Sequence, residues 1–423
     1  MENTIIYPKL RIGKRMVDPF PYWMAFLACL VIFGLVGVFF LFRDGLQVTG
    51  LSNRVPWGLW ISIDLSSIAL GGSAFVFGAM VYILQMKKYE AVGKLAVLLG
   101  FLGYSSAGLI LLMDLGQPLR FWHPVIFWQP HSLLWEVTMC VVLYLTVLVI
   151  ELLPILLEHP IFDEHPLWKE FPFIAKIAPY TKTITHYVHK FGLGLAILGM
   201  TLSLLHQASL GATYAVLYGR GIWFNQSAPT QFVFSAMSGG ISLLFILSIF
   251  VFRVMRPGIV KDEIFYNIAR LAGAVTLLLT YLKVWDWAVS NYYSFNEQIT
   301  LQTELLNKIA PYSLSFWLGQ ALFPAIAGGV LLNAKKIKNF KILMAVAVLP
   351  VVSTIITRWN YNFSGLIGST TYDPYTPIVR LNSYTPTWVE FAVGGLVISY
   401  WLIAFSLATR YLPFGNPEEH KSH

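Results

Sequence analysis

Ten long apolar stretches follow one another along the chain, separated by shorter polar segments. They fall near 21–42, 56–86, 93–115, 132–157, 185–211, 230–255, 264–290, 311–334, 338–358 and 386–412. Stretches of about twenty apolar residues predict membrane-spanning helices, because lipid offers no hydrogen-bond partner to an unpaired backbone group. The second stretch is longer than a bilayer needs and predicts a tilted or protruding helix. Pro56, Pro311 and Pro386 stand near predicted helix starts, where a missing N–H does little harm. The pair Gly71–Gly72 inside the second stretch predicts close helix packing. The pattern therefore predicts an all-α integral membrane protein of about ten transmembrane helices. A polar segment over 1–20 would precede a transmembrane domain over 21–412, with a short tail over 413–423.

Composition supports that reading. The chain is 57% hydrophobic and only 12% charged, more apolar surface than a soluble fold of 423 residues could hide. The opening MENTIIYPKLRIGKRMVDPF is polar and lacks a short apolar core with a cleavage site, so the first stretch is expected to be a retained helix. Only two cysteines occur, Cys29 and Cys140, both within apolar stretches. That number excludes a cysteine-ligated iron–sulfur cluster within the chain, so any redox metal must come from a partner or from histidine ligation.

Charge fixes the orientation. With ten spans both termini share one face, and 21 of the 29 Lys and Arg fall there, including the cluster Lys335, Lys336, Lys338 and Lys341. The positive-inside rule makes that face cytoplasmic, with the protein expected in the cell membrane. The rule also accounts for the net charge of +8, so nucleic-acid binding need not be invoked.

The same alternation places the intramembrane ionisable groups. Asp64, Asp114, Glu136, His206, Lys283, Asp286, Arg358 and Glu390 all fall towards the face opposite the termini. Lys283 and Asp286 share a helix face, and Arg358 is expected to end the ninth span. Glu151 is the main ionisable group at the cytoplasmic end. Charges in lipid are costly and normally face a bundle interior, as helix-pairing ion pairs or as functional groups. Ion pairing alone would show no preference for one leaflet. Glu136 and Asp64 are the deepest acids and the candidates for proton transfer.

A b-type haem would need imidazoles from two helices at matching depth, and His131 with His206 is the pair the spans offer. His186 and His189 belong to the cytoplasmic end, and the histidines are shallower than haem ligands usually are. Many of the aromatic residues are expected to form interfacial belts. Yet Trp122, Trp128 and Trp135 surround the corner between spans three and four, and Trp57 and Trp60 approach it. Tyr104 could offer a hydroxyl to a ligand carbonyl, or could be satisfied by a neighbouring serine. No Walker-type phosphate loop, HExxH or serine-nucleophile elbow is present. A lipid-accessible pocket of aromatics, a tyrosine, a histidine and carboxylates suits a quinone, whose reduction needs hydrogen-bond donors and a proton path. The loops near 43–55, 212–229, 288–310 and 359–385 would offer a soluble electron donor a docking surface.

Five segments carry a resemblance. They are PWGLWISIDLSSIALGG (56–72), LMDLGQPLRFWHPVIFWQPHSLLWEV (112–137), HQASLG (206–211), TRWN (357–360) and YTPTWVE (384–390). Together they resemble the NrfD/PsrC polysulfide-reductase membrane-subunit family, over essentially the whole chain, and most closely its ten-helix HybB-type and DsrP-type members. The resemblance implies two four-helix bundles, about 56–211 and 230–358, with flanking helices. It implies a quinone site near the outer face, menaquinone or ubiquinone as cofactor, and usually no haem. It implies a ferredoxin-like iron–sulfur subunit on the outer face and further catalytic or cytochrome subunits. By motif position, Tyr104, Asp114, Arg120, His206 and Trp135 are expected at the quinone. Glu136 and Asp64 would handle protons, and Lys283, Asp286, Arg358 and Glu390 would form a further polar cluster. His123 stands where many relatives are expected to have asparagine. A proton-coupled secondary transporter and a haem b-bearing cytochrome subunit are the alternative functions.

Overall fold

The computed structural model describes residues 10–12, 15–157, 178–217, 220, 223–292, 303–304, 307–373 and 376–414. Among them, ten helices are long and apolar enough to cross a membrane. They are α1 (Phe20–Val48), α2 (Leu59–Ile83), α3 (Lys87–Asp114), α4 (Leu133–Leu157) and α5 (Gly192–Ala215). The second half supplies α6 (Ala228–Met255), α7 (Asp262–Tyr292), α8 (Pro311–Leu332), α9 (Phe340–Leu366) and α10 (Trp388–Tyr411). Two short hairpins accompany them: β1 (Leu10–Ile12) with β2 (Arg15–Val17), and β3 (Gly368–Asp373) with β4 (Thr376–Leu381), both antiparallel. Much of the N-terminal segment 1–20 and of the loop 288–310 lies outside the described residues, as does nearly all of the tail 413–423.

Helices α2 to α5 close one ring of neighbours, and α6 to α9 close another. The rings meet where α2 packs on α6 and α9, and where α5 packs on α6. Helices α1 and α10 pair on the outside, with α10 resting against α3. Small residues make the central contact. A Cβ added at Gly72 would lie 2.6 Å from the Ala236 carbonyl oxygen, and one at Gly240 would lie 2.5 Å from the Ser73 nitrogen. Without a hydrophobic drive between helices in lipid, backbone approach of this kind is what binds the rings. The expectation drawn from Gly71–Gly72 is met here.

Helix ends follow local chemistry. Gly116, in DLGQP, takes φ +66° just past the end of α3, a left-handed turn that a Cβ would strain. Asn339 caps α9 by accepting from the amides of Lys341 at 3.1 Å and Ile342 at 3.3 Å. Three helices contain π-helical stretches: Ala79–Ile83 in α2, Phe250–Met255 in α6 and Ser315–Leu322 in α8.

The structure moves two expected boundaries. The fifth stretch splits: Thr181–Lys190 is a separate helix, and α5 begins at Gly192 and runs on to Ala215. The ninth helix does not stop near 358 but continues to Ile367, and a hairpin follows where a loop was expected. Arg358 is therefore not terminal; it lies about 13 Å inside its helix at 1.5 Å per residue. Its polar neighbours read as a loop signal, yet they point into the protein, where partners await them.

Candidate functional site

Three helices bring polar side chains, and a fourth a backbone carbonyl, to one buried layer between the rings. Arg358 of α9 is fully buried, and its Nη2 donates to Gln207 Oε1 of α5 at 2.9 Å and to the Phe232 carbonyl of α6 at 2.7 Å. Its guanidinium carbon stands 3.9 Å from the centroid of the Phe232 ring, a cation–π contact in a dry setting. Gln207 also donates to the Ile68 carbonyl of α2 at 3.3 Å, so one amide ties three helices together. Asp64 of α2 is 3% exposed and has Asp114 and Arg358 as its electrostatic neighbours. No ion pair joins Asp64 to Arg358 among the described residues.

His206 precedes Gln207 and turns into the first ring. Its imidazole is fully buried, with its centroid 5.3 Å from that of Tyr104, which is itself 4.6 Å from Tyr144. The Tyr104 hydroxyl meets Ser203 Oγ at 3.2 Å, the serine partnership foreseen as one of its two roles. Towards the face opposite the termini, Ser209 donates to Glu136 Oε1 at 2.8 Å, linking α5 to α4. Glu136 is half-buried, whereas Asp64 is the deeper acid.

This layer leaves several polar atoms unanswered. Asp64 Oδ1, both ring nitrogens of His206, and Nε and Nη1 of Arg358 are buried without a hydrogen bond of ordinary geometry among the described residues, although the Val137 backbone lies close enough to the imidazole for a weak one. Each such atom costs about 1–3 kcal/mol if it stays dry. Five in one layer are more than an ordinary helix interface leaves, and such groups are normally answered by a partner or by water. Aromatic rings complete the walls: Trp57 stacks on Trp223 at 5.5 Å, and Tyr214 meets both edge-on, at 5.5 Å and 4.9 Å.

The other expected residues disperse. Arg120 closes a single turn, Pro118–Arg120, and is exposed on the corner. Trp135 pins that corner by donating to the Pro124 carbonyl at 2.8 Å, and its ring lies 5.6 Å from Trp128. Asp114 is half-buried at the end of α3. The proposed polar cluster separates into four local sites. Arg358 joins the central layer, and Lys283 donates to Gln320 Oε1 at 2.7 Å. Asp286 accepts from Asn225 at 2.9 and 2.8 Å and from Ser227 Oγ at 2.7 Å. Glu390 belongs to a capping box: its carboxylate takes the amides of Gly50 at 2.7 Å and Thr387 at 2.9 Å, and the hydroxyl of Tyr384. Burial, and then that bond to Glu390, holds the Tyr384 hydroxyl well above the ordinary tyrosine range, so it remains a donor. Glu390 is thus structural. The signature was present in the sequence as Thr387-x-x-Glu390.

Histidines 131 and 206 are not brought together. His131 is exposed in the turn before α4, whereas His206 lies about 13 Å below the end of α5. One planar macrocycle cannot take both as axial ligands at such unequal depths. Reading residues singly missed Gln207 and Asn362. Asn362 donates to Ser62 Oγ at 3.0 Å and to the Gly58 carbonyl at 3.2 Å, tying α9 to α2. Both sat inside or beside quoted motifs, HQASLG and TRWN, and an amide within an apolar run was the available signal.

Ten apolar helices among the described residues, with a buried polar layer walled by aromatic rings, define a multi-pass membrane protein. Residues 47–367 match the model of the polysulphide reductase NrfD family, and the chain belongs to that family. It is 29% identical over 404 residues to the menaquinone reductase integral membrane subunit of Nitratidesulfovibrio vulgaris, covering 94% of this chain and 92% of that protein. The probable Ni/Fe-hydrogenase 2 b-type cytochrome subunit of Escherichia coli is 24% identical, over 89% of this chain and 88% of its own. The Hdr-like menaquinol oxidoreductase integral membrane subunit of Archaeoglobus fulgidus is 21% identical, over 84% of each chain.

Proposed function

We propose that this chain is the quinone-reactive membrane subunit of a multi-subunit respiratory oxidoreductase. It would exchange electrons between an extracytoplasmic iron–sulfur subunit on the outer face and menaquinone or ubiquinone in the membrane. The observation that carries this reading is the set of five unpartnered buried atoms on Asp64, His206 and Arg358, beside the Tyr104 ring. Donors and acceptors spaced among aromatic rings fit a planar headgroup with carbonyl oxygens. The names of the relatives from Nitratidesulfovibrio vulgaris, Escherichia coli and Archaeoglobus fulgidus point to redox complexes of this kind. The positive-inside rule supports cytoplasmic termini, which puts Glu136 and the 115–131 corner on the outer side.

Quinone, when bound, accepts or gives two electrons with two protons. The chain's own residues supply position and protons. His206 and Tyr104 orient the headgroup through hydrogen bonds, and Arg358 fixes Gln207 and the layer behind them. Glu136, held by Ser209, carries a proton at the outer end. Asp64 serves the same layer from α2, with Asp114 and Arg358 as its electrostatic neighbours. A cavity at the opposite end of the first ring is lined by Glu151, Glu90, Lys94 and Tyr82 among others. The edge-to-face pair Tyr144–Tyr104 lies between it and the layer, so Glu151 is the natural entry for protons from the cytoplasm.

Glu136→Gln and His206→Phe in the intact complex test the reading. Quinone turnover should fall at least tenfold in each, while partner-to-dye electron transfer stays normal. Wild-type quinone turnover in both variants would sink it.

A further inference from the structure

The second ring repeats the plan of the first. Helices α2 and α6 cross through their glycine pairs, and each ends in a π-helical stretch. Each is followed by a helix with acids in its first turn, Glu90 in α3 and Asp262 with Glu263 in α7. Helix α7 thus stands in the second ring where α3 stands in the first. The outer end of α3 carries Asp114, and the corresponding end of α7 carries Lys283 and Asp286.

Lys283 is 3% exposed, and its Nζ donates to Gln320 Oε1 at 2.7 Å. No carboxylate pairs with it among the described residues, because Asp286 is engaged by Asn225 and Ser227. An ammonium carries three N–H groups; Gln320 takes one and the Tyr361 ring stands 5.7 Å from Nζ, which leaves donors to spare in a setting where a buried charge is expensive. One turn on, along the same helix face, Trp287 Nε1 is also buried and has no partner among the described residues. The Trp287 ring lies 4.9 Å from Trp317 and 6.4 Å from Phe316. Phe316, Trp317 and Gln320 all belong to Ser315–Leu322, a π-helical stretch of the kind that recurs at functional sites. Trp317 is 41% exposed on the outside of the ring, so this aromatic cluster borders the lipid.

We infer that the outer end of α7 and α8 is a second quinone-binding site, with Lys283 Nζ and Trp287 Nε1 as its donors. Phe316 and Trp317 form its walls. The inference takes its ligand class from the function proposed above. A planar ring with carbonyl oxygens answers both spare donors, and its apolar tail remains in the lipid beside Trp317. The site is one of binding, and no electron step is assigned to it.

The test uses the intact complex in lipid nanodiscs, with quinone counted after extraction and sites mapped by a photoreactive azidoquinone. The wild type should label peptides from both 104–136 and 281–323. Lys283→Met and Trp287→Phe should each abolish the second label and remove one quinone per complex. Trp287→Phe keeps a ring in place, so it serves if the lysine variant fails to assemble. No label in 281–323 of the wild type, or a label that survives Trp287→Phe, overturns the inference. A label in 281–323 with none in 104–136 would instead overturn the first-ring assignment and leave this site standing.

Discussion

The two rings of helices share a plan but not a chemistry. The first buries an imidazole, a tyrosine pair and an acid, Asp64, with several polar atoms left unpartnered among the described residues. The second buries a lysine held by a neutral amide, with its nearest acid occupied elsewhere. Arg358 belongs by sequence to the second ring but donates to Gln207 of the first. A repeated scaffold can thus be furnished differently, because the helix contacts depend on small residues while the interior positions are free to vary. The lesson is that fold-level symmetry does not carry a site from one ring to the other. The site must be argued from the side chains present.

The most damaging change should strike what the rings have in common. Gly240→Leu places a branched side chain where a Cβ already comes within 2.5 Å of the Ser73 nitrogen. Both sides of that contact are backbone, so neither can yield, and overpacking here should cost at least about 1–3 kcal/mol. Immunoblots of membranes should show the subunit, and with it the complex, largely lost. Normal accumulation would mean the rings are held together elsewhere.

Next comes the bridge between the rings. Arg358→Leu strands Gln207 Oε1 and removes the cation from the Phe232 face, so quinone turnover should fall about a hundredfold on the scale of a lost charged hydrogen bond. Arg358→Lys should recover only part, because an ammonium could make the two hydrogen bonds that Nη2 now makes alone but would lose the planar guanidinium's contact with the Phe232 ring. Full recovery by lysine would show that charge alone matters there. Within the first ring, Tyr104→Phe removes only the hydroxyl that meets Ser203. A fall of up to about tenfold, in the apparent quinone KM more than in kcat, is expected for one neutral hydrogen bond.

Much of this architecture was legible in the residues, and the exceptions have a common cause. Ten spans, the small-residue crossing and the gathering of ionisable groups towards one face all follow from apolar length and from the expense of charge in lipid. The end of α9 did not, because Arg358, Asn360 and Asn362 lower hydropathy just as a loop would. Only tertiary structure reveals that Gln207, Ser315 and Ser62 answer them. Lys283 and Asp286 sit close in sequence, yet each is taken by a residue far away along the chain. Spacing along one helix gives a shared face, and it cannot say which partner on another helix wins that face.

The finest distinction concerns two glutamates that look alike in sequence, each near the start of a span on the same side. Glu136 accepts from Ser209 and remains half-buried. Glu390 is almost wholly buried, and its two oxygens are shared among Gly50, Thr387 and Tyr384. Replacing a carboxylate by an amide removes one acceptor oxygen in either case. At Glu390 that oxygen serves a helix cap, so Glu390→Gln should cost about 0.5–2 kcal/mol of stability. It should lower the thermal midpoint of the complex without changing turnover per assembled complex. On the function proposed above the Glu136 oxygen carries a proton, so the same substitution should lower turnover and leave the thermal midpoint nearly unmoved. Measuring both quantities on both variants separates a structural acid from a working one. A thermal loss at Glu136 with unchanged turnover would exchange the two roles.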